Sequence, residues 1–372
     1  MQKTSLLFVT VSVLCLFSCS RNKEEATRSF YLGVTPWPAD FTLAEVNKAY
    51  QFIREDCDLV SHHFDEGIPY EEAFYNRPIP ARLVQDVGFR KSNTAAGKKI
   101  LLSVSVLDLT RKQRAGYYTD TAAGITDSVL AYWRQLPFND PSTVTAYVNY
   151  IRYLVDELHP DYVNYGVESN TDGWDVVQFS RYKSFLSQCY TQLKAAFPDL
   201  PFFVSFMVYE TPSALSLSRE LLPYTDYIAV SAYPYTTVSS SANGNTDPAL
   251  FPADYFSRFA ELDPSKPFVF AETAYIAEDL QVPSFSLNKQ GTLAWQKAYF
   301  EKVAAFCQQR NALFLVWFCY KDYDAANTTL QGLGLFQDLF KLWEDTGLVD
   351  ENGQARPVLQ SWRNWRQRTF RH

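Results

Sequence analysis

Two glutamates close apolar runs in this chain. Glu168 ends Tyr162-Val163-Asn164-Tyr165-Gly166-Val167-Glu168, and Glu272 ends Pro267-Phe268-Val269-Phe270-Ala271-Glu272. A carboxylate at the end of an apolar strand is costly to desolvate, so it needs a partner or a purpose. Strand alternation puts Asn164, Gly166, Glu168 and Asn170 on one face, with the small Gly166 leaving room beneath the acid. Two carboxylates delivered to one site suit cleavage of a glycosidic bond. One protonates the leaving oxygen while the other attacks the anomeric carbon. Either glutamate taken alone reads better as a salt-bridge or capping residue.

Other candidates surround this pair. His62 and His63 are adjacent on a strand, so they point to opposite faces and cannot chelate one metal together. A histidine lining the site, with Asp65 nearby, would offer sugar hydroxyls donors and acceptors. Trp37, Tyr233, Tyr275 and Trp317 stand at strand ends, where rings can stack on sugar faces. No Gly-x-Ser-x-Gly elbow and no His-Glu-x-x-His motif occurs, and no cofactor or metal is implied. Of the six cysteines, Cys57, Cys189, Cys307 and Cys319 sit in apolar or helical contexts without Cys-x-x-Cys spacing, which suits buried thiols.

The elements that must position these residues alternate. Strand-like runs cover Tyr31–Pro36, Asp58–Phe64, Lys99–Leu107, Tyr162–Glu168, Phe202–Tyr209, Tyr227–Tyr233, Phe268–Glu272 and Leu313–Phe318. Helical patterns separate them, among them Leu43–Glu55, Ser142–Leu158, Val176–Phe197 and Gln290–Arg310. Thr42 with Glu45 forms a capping box, Pro141 and Pro212 open helices, and Pro160 and Pro198 close them. Eight βα units predict an α/β fold, a single (β/α)8 barrel over residues 30–372. An open doubly wound sheet is the rival, but Pro36-Trp37-Pro38 stands where a Gly-rich loop would be needed. Long ring-rich segments follow the third, sixth and eighth strands: Asp108–Asp140 with Tyr117, Tyr118 and Trp133; Pro234–Pro252; and Tyr320–Gly347 with Tyr323 and Trp343. In a barrel they crowd the C-terminal mouth, where sites are built.

The chain has 372 residues, of which 47% are hydrophobic and 16% aromatic, which excludes a disordered tail. A net charge of −7 argues against nucleic acid as a partner. Leu6 to Phe17 is apolar but shorter than the roughly 20 residues that span a bilayer. It suits a signal peptide over residues 1–18. Leu16-Phe17-Ser18-Cys19 resembles the lipobox of bacterial lipoproteins, which implies cleavage before Cys19 and its lipidation; an ordinary cleaved signal is the alternative. Residues 19–29 then read as the lipidated cysteine and a polar tether. The expected location is a bacterial membrane, periplasm-facing or at the cell surface.

The order of motifs is similar to that of the large clan of retaining (β/α)8 glycoside hydrolases, which includes cellulases, mannanases and galactanases. Gly166-Val167-Glu168-Ser169-Asn170 resembles the clan's fourth-strand Gly-Asn-Glu-x-Asn. Asp226–Tyr235 and Glu272-Thr273-Ala274-Tyr275 resemble segments of endo-β-1,4-galactanases. The resemblance implies that Glu168 is the acid/base, that Glu272 is the nucleophile, and that Trp317 floors the sugar subsite. One departure stands out: Val167 replaces the asparagine that bonds the sugar 2-hydroxyl, a contact that strengthens in the transition state. The expectation is a monomeric, endo-acting hydrolase of β-linked polysaccharide, using Glu168 and Glu272. Trp37, His62, His63, Asp65, Asn170, Tyr233, Tyr275 and Trp317 are expected to bind substrate. A glycan-binding barrel lipoprotein without turnover is the alternative.

Overall fold

The computed structural model describes residues 26–118, 120, 126–238 and 244–371. The expected signal peptide, Cys19 and most of the tether, and most of the Ser239–Asn245 loop tip, lie outside the described residues. Eight parallel strands close into a barrel: β1 (Tyr31–Val34), β2 (Leu59–Phe64), β3 (Lys99–Val104), β4 (Tyr162–Gly166), β5 (Phe202–Met207), β6 (Ile228–Ala232), β7 (Phe268–Thr273) and β8 (Phe314–Trp317). Each strand pairs with its sequence neighbours, and β8 pairs back with β1. The sequence predicts all eight in this order, and the closed sheet excludes the doubly wound rival.

Helices occupy the outside. Those at Leu43–Asp56, Pro141–Leu158, Val176–Ala196 and Leu293–Arg310 begin at Thr42, Asp140, Asp175 and Thr292, whose side chains accept first-turn N–H groups. Helices Tyr70–Phe74 and Ala81–Asn93 follow β2, and Asp127–Gln135 lies within the long segment after β3. Among the described residues no helix is long and apolar enough to cross a membrane.

Two apolar layers follow from strand alternation. Leu59, Leu101, Phe203, Ala229, Val269, Phe314 and Val316 fill the barrel interior, while the opposite faces of the same strands pack beneath the helices. Cys57, Cys189, Cys307 and Cys319 are buried free thiols. At the end opposite the mouth, Thr27–Arg28 pairs in parallel with Thr369–Phe370. Arg28 is buried there against Asp58 at 2.8 Å. Thr27–Ser29, expected to belong to the tether, are therefore part of the folded body.

Candidate active site

His63 reaches the mouth by simple alternation. Leu59 faces the barrel interior, so Ser61 and His63 do too, whereas Val60 and Phe64 face the helices. His62 is on that outer face, fully buried, with Nε2 2.9 Å from Thr94 Oγ1 at the end of the Ala81–Asn93 helix. Burial, helped by the charge of Arg90, pushes its pKa well below the usual histidine range. It has no surface to offer a substrate.

Glu272 arrives by a different device. Val269 and Ala271 face inward, so unbroken alternation would send Glu272 out with Phe268 and Phe270. The register between β6 and β7 slips instead: Val230 pairs with Phe270, but the next residue, Ser231, pairs with Glu272. One extra residue on β7 makes a bulge, which turns Glu272 into the interior. Its two oxygens are then held separately. The Tyr233 hydroxyl donates to Oε1, and His63 Nδ1 lies 3.6 Å from Oε2. Burial, then the Glu272 charge, holds the Tyr233 phenol well above its usual pKa, so it stays a donor. Burial alone would lower the pKa of His63, but contact with Glu272 and the charges of Asp65 and Glu272 outweigh both this and Arg111, leaving it raised.

Glu168 also depends on an irregularity. Asn164 pairs with Phe203, yet Gly166 pairs with the very next residue, Val204, so a bulge lies in β4. A Cβ on Gly166 would meet Val204 Cγ1 at 2.7 Å and Tyr182 Oη at 3.2 Å. The glycine therefore permits close packing toward the helices and does not open space at the axis, contrary to the expectation from alternation. The chain then turns through Glu168 at φ +52°, a conformation costing on the order of 1 kcal/mol for a residue with a side chain. Its N–H donates to Ser205 Oγ at 3.0 Å. Its Oε2 accepts from Arg111 Nε at 2.8 Å. The charges of both glutamates act on Arg111 and on Tyr233, which sets the two acids at one mouth.

A cleft of about 290 Å³ opens over this cluster. His63, Asp65, Arg111 and Glu272 line it, with Trp37, Phe41, Phe318, Tyr323, Phe340 and Trp343 as aromatic wall. Arg90 and Asp86 stand at one side as an ion pair at 2.7 Å. Glu168 lies behind Arg111 and is almost fully buried.

Besides His62, and Tyr233, which is buried and holds Glu272, three more expected substrate contacts are structural instead. Trp317 follows the alternation of Phe314 and Val316 outward, where it is fully buried and donates to the Thr346 carbonyl at 2.8 Å. Phe318, one residue later, faces the cleft in its stead. Asn170 is buried and pins the strand end of β5, accepting from Met207 N at 2.7 Å and donating to Met207 O at 3.0 Å. Tyr275 is buried in a stack with Tyr299 and donates to the Thr246 carbonyl. None of these side chains has accessible surface for a sugar. Arg111 is the residue that sequence reasoning missed. It sits in a loop, and no local pattern ties a loop arginine to an acid 57 positions away.

No protein-family model matches the chain, and no curated protein is similar to it. Solved structures are. The GH53 catalytic domain of Ignisphaera aggregans aligns with TM-score 0.58 and 18% identity over 91% of this chain and 96% of that one. GH5_18 from Streptomyces cattleya, in complex with GlcNAc, aligns with TM-score 0.62 and 16% identity over 92% and 82%. The exo-beta-1,4-mannosidase Op5Man5 from Opitutaceae bacterium strain TAV5 aligns with TM-score 0.53 and 14% identity over 91% and 60%. At these identities the likeness establishes the fold: this chain is a (β/α)8 barrel of the kind that glycoside hydrolases use.

Proposed function

We propose that the protein is a retaining β-glycosidase in which Glu272 is the nucleophile and Glu168 the second catalytic carboxylate. The observation that carries this reading is the setting of Glu272, whose Oε1 accepts from Tyr233 while His63 Nδ1 lies 3.6 Å from Oε2, in a ring-walled cleft. A carboxylate hydrogen-bonded at one oxygen, with an imidazole beside the other, is oriented for attack on one carbon. Two barrel neighbours are seen in complex with GlcNAc and with Manb1-4GlcNAc, which agrees with an oligosaccharide or polysaccharide substrate. Trp37 and Asp65 are the proposed sugar contacts on the wall of the cleft, with Phe318 in the role first expected of Trp317. Endo action on a β-linked chain and a monomeric state belong to the same proposal. Glu272→Gln should lower turnover by more than about 10³-fold while leaving glycan binding intact. Turnover retained in that variant would remove Glu272 from the mechanism.

The second reading, a glycan-binding barrel without turnover, draws on Val167 and on the guanidinium against Glu168. As to location, we propose that Cys19 bears lipid and holds the barrel at a bacterial membrane. Cys19→Ser should release the protein to the soluble fraction, and continued membrane association would count against the anchor.

A further inference from the structure

An acid/base, the role that the resemblance implies for Glu168, must hold a proton to give. Glu168 lies instead in a buried ion pair with Arg111, Nε to Oε2 2.8 Å, the two side chains only 16% and 9% exposed. The pair is made by the carboxylate, the form with no proton to give. Arg111 is not a loose surface side chain. Its backbone is at φ +59°, its N–H donates to Asp108 O at 2.9 Å, and Nη1 donates to Ser105 Oγ at 3.0 Å. Among the described residues its Nη2 has no acceptor, and Arg111 lines the cleft. A fixed cation with a free Nη2 thus stands against Glu168 at the cleft wall.

From this geometry we propose that the preferred leaving group departs as an anion, so that the substrate is a glycoside of a phenol or a carboxylic acid, with Arg111 as the residue that receives it. The inference rests on the retaining reading above, though not on its endo action, and puts a glycoside of an acidic aglycone in place of a polysaccharide as the preferred substrate. A carboxylate oxygen of Glu272 attacks the anomeric carbon and forms the glycosyl ester. The bond to the leaving oxygen breaks, its electron pair goes with that oxygen, and the resulting phenolate or carboxylate meets the Arg111 guanidinium. Water then attacks the glycosyl ester. Glu168, already a carboxylate, takes the water's proton, and Glu272 leaves as a carboxylate; Glu168 returns the proton to solvent. Each cycle yields one free sugar, one anion and one proton. Two further observations agree with this. The cleft is walled by Trp37, Phe318, Tyr323 and Trp343, which suit an aromatic aglycone. Val167 lacks the 2-hydroxyl donor, so less transition-state stabilisation is available to expel a poor leaving group.

The test uses the purified full-length protein with aryl β-glycosides of phenols of graded acidity, on the glycone that a 4-nitrophenyl panel identifies. Alkyl glycosides and oligosaccharides of the same glycone complete the series. The rate constant kcat/KM should fall about tenfold for each unit of rising leaving-group pKa, with alkyl glycosides and oligosaccharides slowest. Arg111→Gln should slow the least acidic phenols at least about tenfold more than the most acidic ones and steepen that dependence, whereas Arg111→Lys, which keeps a charge, should leave the slope near that of the parent. Oligosaccharides cleaved as fast as nitrophenyl glycosides, or a slope unchanged in Arg111→Gln, would overturn the inference alone, provided that a 2-deoxy-2-fluoro glycoside still labels Glu272. No turnover of any aryl glycoside, with Glu272 unlabelled, would overturn the retaining reading and this one together.

Discussion

Tyr233, His63 and Glu272 form the smallest unit in which chemistry and fold meet. The phenol is buried and its pKa is held well above the usual value, so it gives Glu272 one donor. A hydrogen bond to a charged group contributes about 1.5–3 kcal/mol. Tyr233→Phe should therefore lower kcat about ten- to hundredfold with little change in KM, measured on the best aryl glycoside. An unchanged kcat would mean that the bond is structural only. At this scale the sequence was readable wherever alternation runs unbroken. His63 inward and His62 outward follow from counting along β2, and the same count along β8, from Phe314 through Val316, leads to Phe318 and away from Trp317. It failed where the backbone departs from period two. The bulges at Tyr165 and Ala271 change which face each later side chain takes, and nothing in the residues alone announces them.

The eight βα units were legible because each carries its own signals: apolar runs of strand length, N-caps such as Thr42 and Asp140, and prolines at helix starts. The roles of the long loops were less legible, since their partners are distant in sequence. The segment after β8 illustrates this. Tyr323 and Trp343 line the cleft, as its position at the mouth suggests, but Asp322 serves to bind Arg356 Nη2 at 2.6 Å. Beside it, Asp345 is pushed up to about 7, first by burial and then by the charges of Asp324, Glu278 and Glu344, against the opposing pull of Arg356. A carboxyl raised in the folded state stabilises it fully only below its unfolded pKa of about 3.9, and that contribution is lost as pH rises toward the folded value. The melting temperature should accordingly decline between about pH 4 and 7 by an amount that Asp345→Asn reduces. A pH profile identical in the variant and the parent would show that Asp345 does not titrate in this way.

Across the whole molecule, one end of the barrel secures the chain and the other presents the site. Thr27–Arg28 and Thr369–Phe370 form a parallel pair at the end of the barrel opposite the mouth. The mouth gathers Glu168 from the end of β4, Glu272 from β7, His63 from β2 and Arg111 from the loop after β3. No two of these are close in sequence, so only closure of the barrel brings them together. The central claim is that Glu272 forms the covalent bond to the sugar. Its most direct measurement is mass spectrometry of the protein after incubation with a 2-deoxy-2-fluoro β-glycoside bearing a 2,4-dinitrophenyl leaving group, followed by peptide mapping. The expected result is one added fluoroglycosyl mass, on the peptide that contains Glu272, absent in Glu272→Gln. A label on another residue, or release of dinitrophenol without any covalent adduct, would contradict it.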